Sequence, residues 1–586
     1  MAAIRFGLIG RYLRPYRRTV LQGMAALVVV NLLSVTLPLL VRRVIDDLQD
    51  GFTFSDVLHQ ALLIIVLATL MGGVRLWSRM LVFGVGRQVE ANLKQQIFDQ
   101  MLRQEPGWVQ STGSGEVISR ATSDVENVRR LLGFAVLSLT NTGLAYALTL
   151  PAMLAIDPWL SLAAVGLYPL MLATVRLFGG RMMRHQRRQQ EALAQLSDLI
   201  QEDLSGINAI KIYGQEQTER AAFALRNKRY RDDALQLART RSTLFPLLEG
   251  ISSVSLLLLL ALGSSQLASG RLSIGDLVAL ILYVERLVFP TALLGFTLNT
   301  FQTGQVSLER VEELLRRRPR ITSPAAAQQL PASTSQQAAR VEARGLSIRY
   351  PGAERLAIDG MSFVLNPGEL VAVVGPVGCG KTTLARALGR MVEVPANALF
   401  LNGCDITSVD LNALRHQVAL VPQEGYLFTA TLADNLRYGD PEAEADRVEQ
   451  AAVQARLEGD IKGFPDGFGT LVGERGITLS GGQRQRTALG RALLVEAPLL
   501  VLDDALASVD NNTAADILQS VRNQQGRTVL MISHQLSAAA ACDRILVMEN
   551  GRLVQQGTHR ELVEQAGTYR RLWEREQAEQ QLSRAA

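Results

Sequence analysis

LVAVVGPVGCGKTTLARALGR, residues 370–390, is the stretch on which the fold turns. Its first five residues are apolar and β-branched enough to read as a buried strand. They run into Gly375, Gly378 and Gly380, then Lys381 and Thr382, in the spacing G-x-x-x-x-G-K-[ST], and a helical stretch follows. Glycines in that pattern let backbone N–H groups curl round phosphate oxygens where a helix begins. Lys381 is expected to reach the β- and γ-phosphates, Thr383 to line the same cradle, and the Thr382 hydroxyl to hold Mg²⁺. Strand, glycine loop and helix in that order predict a P-loop domain that binds ATP or GTP.

Further along, LLVL at 499–502 reads as a second buried strand, and it ends at Asp503, which is placed for the Mg²⁺ shell. From about Val341, strand-like runs (ELVAVVG, QVALVPQ, PLLVLDD, RTVLMISH, RILVMEN) alternate with helical stretches. That alternation predicts an α/β domain with a largely parallel sheet over 341–586. Ahead of it, ITSPAAAQQLPASTSQQAAR (321–340) is rich in Ala, Gln, Ser and Pro and reads as a linker. The final stretch, YRRLWEREQAEQQLSRAA, reads as a solvated helix.

The first 320 residues have a different character. Long apolar runs with few charges, the first of them (20–41) with none, predict six membrane helices near 20–41, 57–83, 131–154, 158–178, 244–268 and 274–298. Runs rich in Leu, Ala and Val, without short alternating segments, exclude a barrel. Arg5, Arg11, Arg14, Arg17 and Arg18 precede the first run, and the long loops after the second and fourth are rich in arginine. Basic residues mark the cytoplasmic side, so both termini, both long loops and the nucleotide domain are expected there, in a multi-pass protein of the cell membrane. Arg42 and Arg43 run against this pattern. The long loops consist of strong helix formers, and they are expected to carry the spans into the cytoplasm, reversing near 111–124 and 212–222.

With 60 Lys+Arg against 55 Asp+Glu, the formal charge of +5 is small for 586 residues. Arginines beside apolar runs suit a membrane surface and give no sign of a nucleic-acid partner. Cys379, Cys404 and Cys542 form no extracellular disulfide framework. A purely soluble enzyme and a mainly disordered chain are both excluded.

LSGGQ at 479–483, followed by RQR, narrows the chemistry. Ser480, Gly481, Gly482 and Gln483 at a helix start offer a second anion site. With the phosphate loop and six spans, this stretch makes the chain resemble an exporter-type half-transporter of the ATP-binding-cassette (ABC) family, six helices fused to one nucleotide-binding domain. The resemblance implies a dimer with two ATP molecules sandwiched between the nucleotide domains, each signature meeting the γ-phosphate on the opposite subunit. It implies that Tyr350 stacks on adenine, that Gln423 senses Mg²⁺, that His534 holds the γ-phosphate, and that Ser508-Val509-Asp510 forms the subunit-crossing loop. Glu474 matches an exporter-type coupling segment.

One position departs from the family pattern. Asp504 stands where the resemblance expects a glutamate general base. Aspartate is one methylene shorter, and a base must lie within about 2.6–3.2 Å of the proton it takes. The substitution resembles the degenerate half of heterodimeric exporters of drugs or lipids, so a second half-transporter is expected as partner, more readily than a second copy. Two alternatives stay open: an importer of exporter shape, and an ATP-binding regulatory subunit that hydrolyses little. Asn31, Asn141, Glu249, Glu285 and Arg286, polar residues within the spans, are candidates for the substrate path.

Overall fold

Backbone polar groups in hydrocarbon must pair within their own segment, and the apolar runs of the first half accordingly form helices. The structure is a computed structural model that describes residues 6–48, 53–330, 338–509, 511–523 and 526–585. Six long apolar helices span Gly7–Asp47, Phe54–Arg103, Ser114–Ile156, Pro158–Ser205, Glu216–Ala268 and Ile274–Arg316. The second has 50 residues. At 1.5 Å per residue it is about 75 Å long, more than twice the hydrocarbon thickness, so the spans do continue well beyond the membrane.

The turn between the third and fourth helices is Asp157, whose carboxylate accepts the Leu160 N–H at 2.8 Å while Pro158 occupies the first helical position. The sixth helix begins with a capping box, Ser273 Oγ accepting the Asp276 N–H and Asp276 accepting the Ser273 N–H. Asp46 ties the first helix to this start by accepting from Ser273 Oγ and the Gly275 N–H, each at 3.0 Å. A Cβ on Gly275 would lie 2.3 Å from the Arg42 carbonyl, so glycine is what lets the two helices meet. Arg42 itself pairs with Asp276 at 2.7 Å. Arg42, one of the two arginines that run against the charge pattern, is therefore neutralised locally.

Both reversals start earlier in the chain than expected. A short helix, Pro106–Thr112, makes the first, and the third long helix is already under way at Ser114. The second is the helix Ile207–Tyr213, closed by Gly214 in the left-handed conformation (φ +63°). Pro106 and Gly206 are the local signals that set these ends.

The described residues divide into two compact units, Met1–Leu102 with Thr112–Arg317, and Arg103–Ser111 with Arg318–Ala586. Among its described residues the second unit contains ten strands: β1 Val341–Ile348, β2 Ile358–Leu365, β3 Leu370–Val374, β4 Leu399–Leu401, β5 Cys404–Asp405, β6 Val418–Val421, β7 Leu499–Asp503, β8 Thr528–Ile532, β9 Arg544–Glu549 and β10 Arg552–Gly557. A six-stranded sheet has the order β10-β9-β3-β8-β7-β6, parallel except for the β9–β10 hairpin. Its central strands β3, β7 and β8 are buried throughout, which explains their unbroken apolar sequences. A separate antiparallel sheet, β2-β1-β4-β5, lies outside the strand-like runs of the sequence.

The stretch read as a linker is pinned where it is described. Ser323 Oγ donates to Asp410 Oδ1 (2.8 Å) and accepts the Leu411 N–H (3.0 Å). The Gln328 N–H donates to the Ser408 carbonyl at 2.9 Å, and Leu330 packs on the core under the antiparallel sheet. Residues 331–337 lie outside the described residues.

These positions provide a labelling test of orientation. Leu48, at the end of the first helix, is 37% exposed, and Val377 of the phosphate loop is 89% exposed. Cys379 and Cys542 are buried, and burial pushes both thiols up, so neither competes for reagent. In a C404S background, L48C is expected to react with an impermeant maleimide on intact cells or spheroplasts, and V377C only after permeabilisation. The reverse order would overturn the orientation drawn from the arginines.

Candidate nucleotide site

β3 delivers the phosphate loop, and contacts with its surroundings decide which residues can stand there. A Cβ on Gly375 would lie 2.1 Å from the Met548 carbonyl, and one on Gly380 (φ +105°) 2.2 Å from the Ala357 carbonyl. Gly378, also at positive φ, lies at the exposed turn between them. The helix Lys381–Leu388 follows directly. Buried Lys381 donates from Nζ to the carbonyls of Gly375 (2.7 Å) and Pro376 (3.0 Å). Its ammonium is thus held inside the loop.

Thr382 Oγ1 donates to Asp503 Oδ1 at 3.2 Å, joining the phosphate loop to the end of β7. Burial, the largest influence, pushes the Asp503 carboxyl above its ordinary range, while the Thr382 hydrogen bond opposes it. A desolvated carboxylate facing a hydroxyl is the hard-oxygen donor pair that Mg²⁺ prefers, and the two residues fit that ion. Gln423, the third expected ligand, stands exposed after β6 and bonds to neither of them among the described residues. Tyr350 Oη and Thr383 Oγ1 are 3.3 Å apart, which brings the expected adenine platform beside the same loop.

Asp504 follows Asp503 in the left-handed conformation, φ +52°. Its N–H donates to the Ile532 carbonyl at 2.9 Å, and its Oδ1 accepts the His534 N–H at 3.3 Å. Asp504 is buried, and the His534 side chain is exposed. Asp503, Asp504, His534, Lys381 and Thr382 therefore converge at the carboxyl ends of β3, β7 and β8, where an α/β sheet places its ligands.

The signature forms the start of the helix Gly481–Leu494. Ser480 Oγ accepts the Gln483 N–H (3.2 Å), and Gln483 Oε1 accepts the Ser480 N–H (2.8 Å). Gln483 Nε2 then donates to Asp460 (3.0 Å), which also holds Arg486 at 2.6 Å. Gln483 is committed to shaping the loop, whereas Ser480 and Gly481 are exposed. A Cβ on Gly482 would lie 2.9 Å from the Ser508 carbonyl. No hydrogen bond links Ser480, Gly481, Gly482 or Gln483 to the phosphate loop among the described residues. Asp510 lies outside the described residues. Asp460 belongs to no motif, and nothing in its sequence context marked it.

Residues 20–291 match the ABC transporter transmembrane region, and residues 358–507 match the family described as ABC transporter. The multidrug resistance-like ATP-binding protein MdlA of Escherichia coli is 30% identical over 99% of this chain and 98% of its own length. The chain belongs to the ABC transporters.

Among other ABC transporters, the ATP-dependent lipid A-core flippase of Aromatoleum aromaticum is 33% identical over 82% of this chain and 79% of its own. A bacterial Atm1-family ABC exporter with ATP bound superposes with a TM-score of 0.78 at 26% identity, covering 96% of this chain and 98% of that one. The expected fold class, six apolar helices plus an α/β nucleotide-binding domain, is borne out. This ABC transporter is an exporter-type half-transporter, an ATPase whose hydrolysis is coupled to transport, and half-transporters of this kind dimerise. It is a multi-pass membrane protein with six spans.

Proposed function

We propose that this half-transporter exports an amphipathic or lipid-like substrate as one half of a heterodimer, and that its own ATP site hydrolyses weakly. The observation that carries the reading is Asp504. Its side chain is short, its backbone is left-handed, and one carboxylate oxygen already accepts the His534 N–H. Aspartate tolerates that backbone because its carboxylate bonds locally. The same local bonding keeps it from the water that a longer base would reach. The names of the multidrug and lipid relatives support a substrate with an apolar part.

Residues 1–320 form the transmembrane domain in this reading, 321–340 connect it, and 341–586 bind nucleotide, with both termini in the cytoplasm. Lys381 and the N–H groups of Gly375, Gly378 and Gly380 take the phosphates, Tyr350 and Thr383 flank them, and His534 takes the γ-phosphate. Thr382 and Asp503, with Gln423 as the third ligand the resemblance implies, would hold Mg²⁺, and the ion would neutralise charge developing on the phosphates. Ser480, Gly481, Gly482 and Gln483 close the partner's site.

The test is the steady-state ATPase rate in proteoliposomes, for this chain alone and for the chain with a candidate partner that carries glutamate at the matching position. The mixed assembly is expected to turn over about tenfold faster or more, because a misplaced base costs on the order of a hundredfold at each site. Equal rates would overturn the heterodimer reading.

A further inference from the structure

His534 stands on a short loop between β8 and the helix Leu536–Ala539, and a carboxylate grips that loop at each end. Asp504 accepts the His534 N–H at one end. At the other, Glu576 Oε2 accepts the Leu536 N–H at 2.7 Å and Oε1 accepts the Ser537 N–H at 3.2 Å. The first N–H groups of a helix have no acceptor within it, so a two-oxygen anion is a strong partner for them. Between the two carboxylates, Ser533 Oγ accepts the Gln535 N–H at 2.9 Å and tightens the turn.

Glu576 is carried by the last helix, Thr568–Ala585. Far from being solvated all round, as its composition suggested, that helix is locked along one side. Tyr569 is fully buried, its N–H donates to Gln555 Oε1 (3.1 Å), and its hydroxyl shares a 2.8 Å hydrogen bond with His559 Nδ1. Thr568 Oγ1 donates to Glu549 Oε2 at 2.6 Å, and Leu572 and Trp573 pack on the core beneath the sheet.

We propose that Glu576 is a positioning residue for His534, making the carboxyl-terminal helix part of the device that senses the γ-phosphate. Glu576 touches no nucleotide. It fixes the two residues that follow Gln535, and through them the backbone from which the imidazole extends. The inference rests on reading His534 as the γ-phosphate ligand. A carboxylate that sets this loop to within a fraction of an ångström acts on ATP and leaves ADP, which lacks that phosphate, unaffected.

The experiment measures equilibrium affinity of purified full-length protein for Mg-AMP-PNP and Mg-ADP. H534A is expected to weaken AMP-PNP by about tenfold and ADP by less than about twofold. E576A is expected to do the same, and the double variant to be no worse than H534A alone, since both act through one contact. E576Q, keeping one acceptor oxygen, is expected to recover part of the loss. Equal weakening of AMP-PNP and ADP by E576A, or losses that add in the double variant, would overturn the inference and leave Glu576 a structural residue. A normal H534A effect with none from E576A would also overturn it. No effect from H534A would overturn the role of His534 itself, which is a failure of the functional reading and is told apart by that variant alone.

Discussion

Lys381→Ala is expected to remove tight ATP binding at this chain's own phosphate loop. Hydrogen bonds to charged groups contribute about 1.5–3 kcal/mol each, so losing contacts to two phosphates costs roughly 3–6 kcal/mol. That is a factor of about 10² to 10⁴ in affinity. The lysine is buried and its ammonium is already inside the loop, held by the Gly375 and Pro376 carbonyls. Little ordering remains to be done when ATP binds. Alanine leaves those two carbonyls without their cation, and the loop becomes a poorer anion site. Photolabelling of the assembled transporter with azido-ATP reports the loss on this chain, with the partner's labelling as internal reference. Undiminished labelling of the K381A chain would sink the assignment of the loop.

The second large effect separates the two halves of the chain's chemistry. In the assembled transporter, Ser480→Arg is expected to lower the ATPase rate by about a hundredfold, and Asp504→Asn to change it by less than about twofold. Ser480 is exposed at the start of its helix, where an arginine fills the space a partner-bound γ-phosphate needs and adds bulk against Asp460's fixed network. Asp504 loses one charge beside a backbone N–H, and asparagine keeps an oxygen for the His534 N–H. Asparagine also tolerates the left-handed backbone. If D504N abolished activity while S480R spared it, Asp504 would be an ordinary general base and this chain would work through its own site. Asp504→Glu supplies reach but places a longer side chain at φ +52°, so any gain in rate is expected to come with lower stability.

The sequence alone carried most of the architecture, because hydropathy and glycine spacing are local properties. The six spans follow from long apolar runs with few charges, and all five strand-like runs became β3, β6, β7, β8 and β9. The antiparallel sheet is hard to read because its strands, such as those in ARGLSI and FLNGCD, are short or alternate weakly, and only the β1–β4 pairing joins its two local hairpins. The reversals were placed late because helix-forming composition runs past Pro106 and Gly206, and only the proline and glycine mark the breaks. At the candidate nucleotide site the spacing names the residues, and their bonding is not legible from it. That Asp504 is left-handed, that Lys381 rests on loop carbonyls, and that Gln423 stands apart all depend on tertiary packing. Glu576 had no motif at all. Its role appears only once the last helix is seen to lie beside the loop of His534.

The seam between the halves has a practical meaning for chimeras. Composition suggests joining a foreign nucleotide domain at Val341, but Ser323, Gln328 and Leu330 are bonded or packed into the unit that begins at Arg318, and Arg103–Ser111 belongs to that unit as well. Within that stretch Trp108 is buried and Glu105 accepts the Arg320 N–H at 3.4 Å. A graft that exchanges the whole unit therefore comes in two pieces, one of them lying between the second and third membrane helices. A single cut at Val341 leaves behind a strip of side chains fitted to a surface that is no longer there.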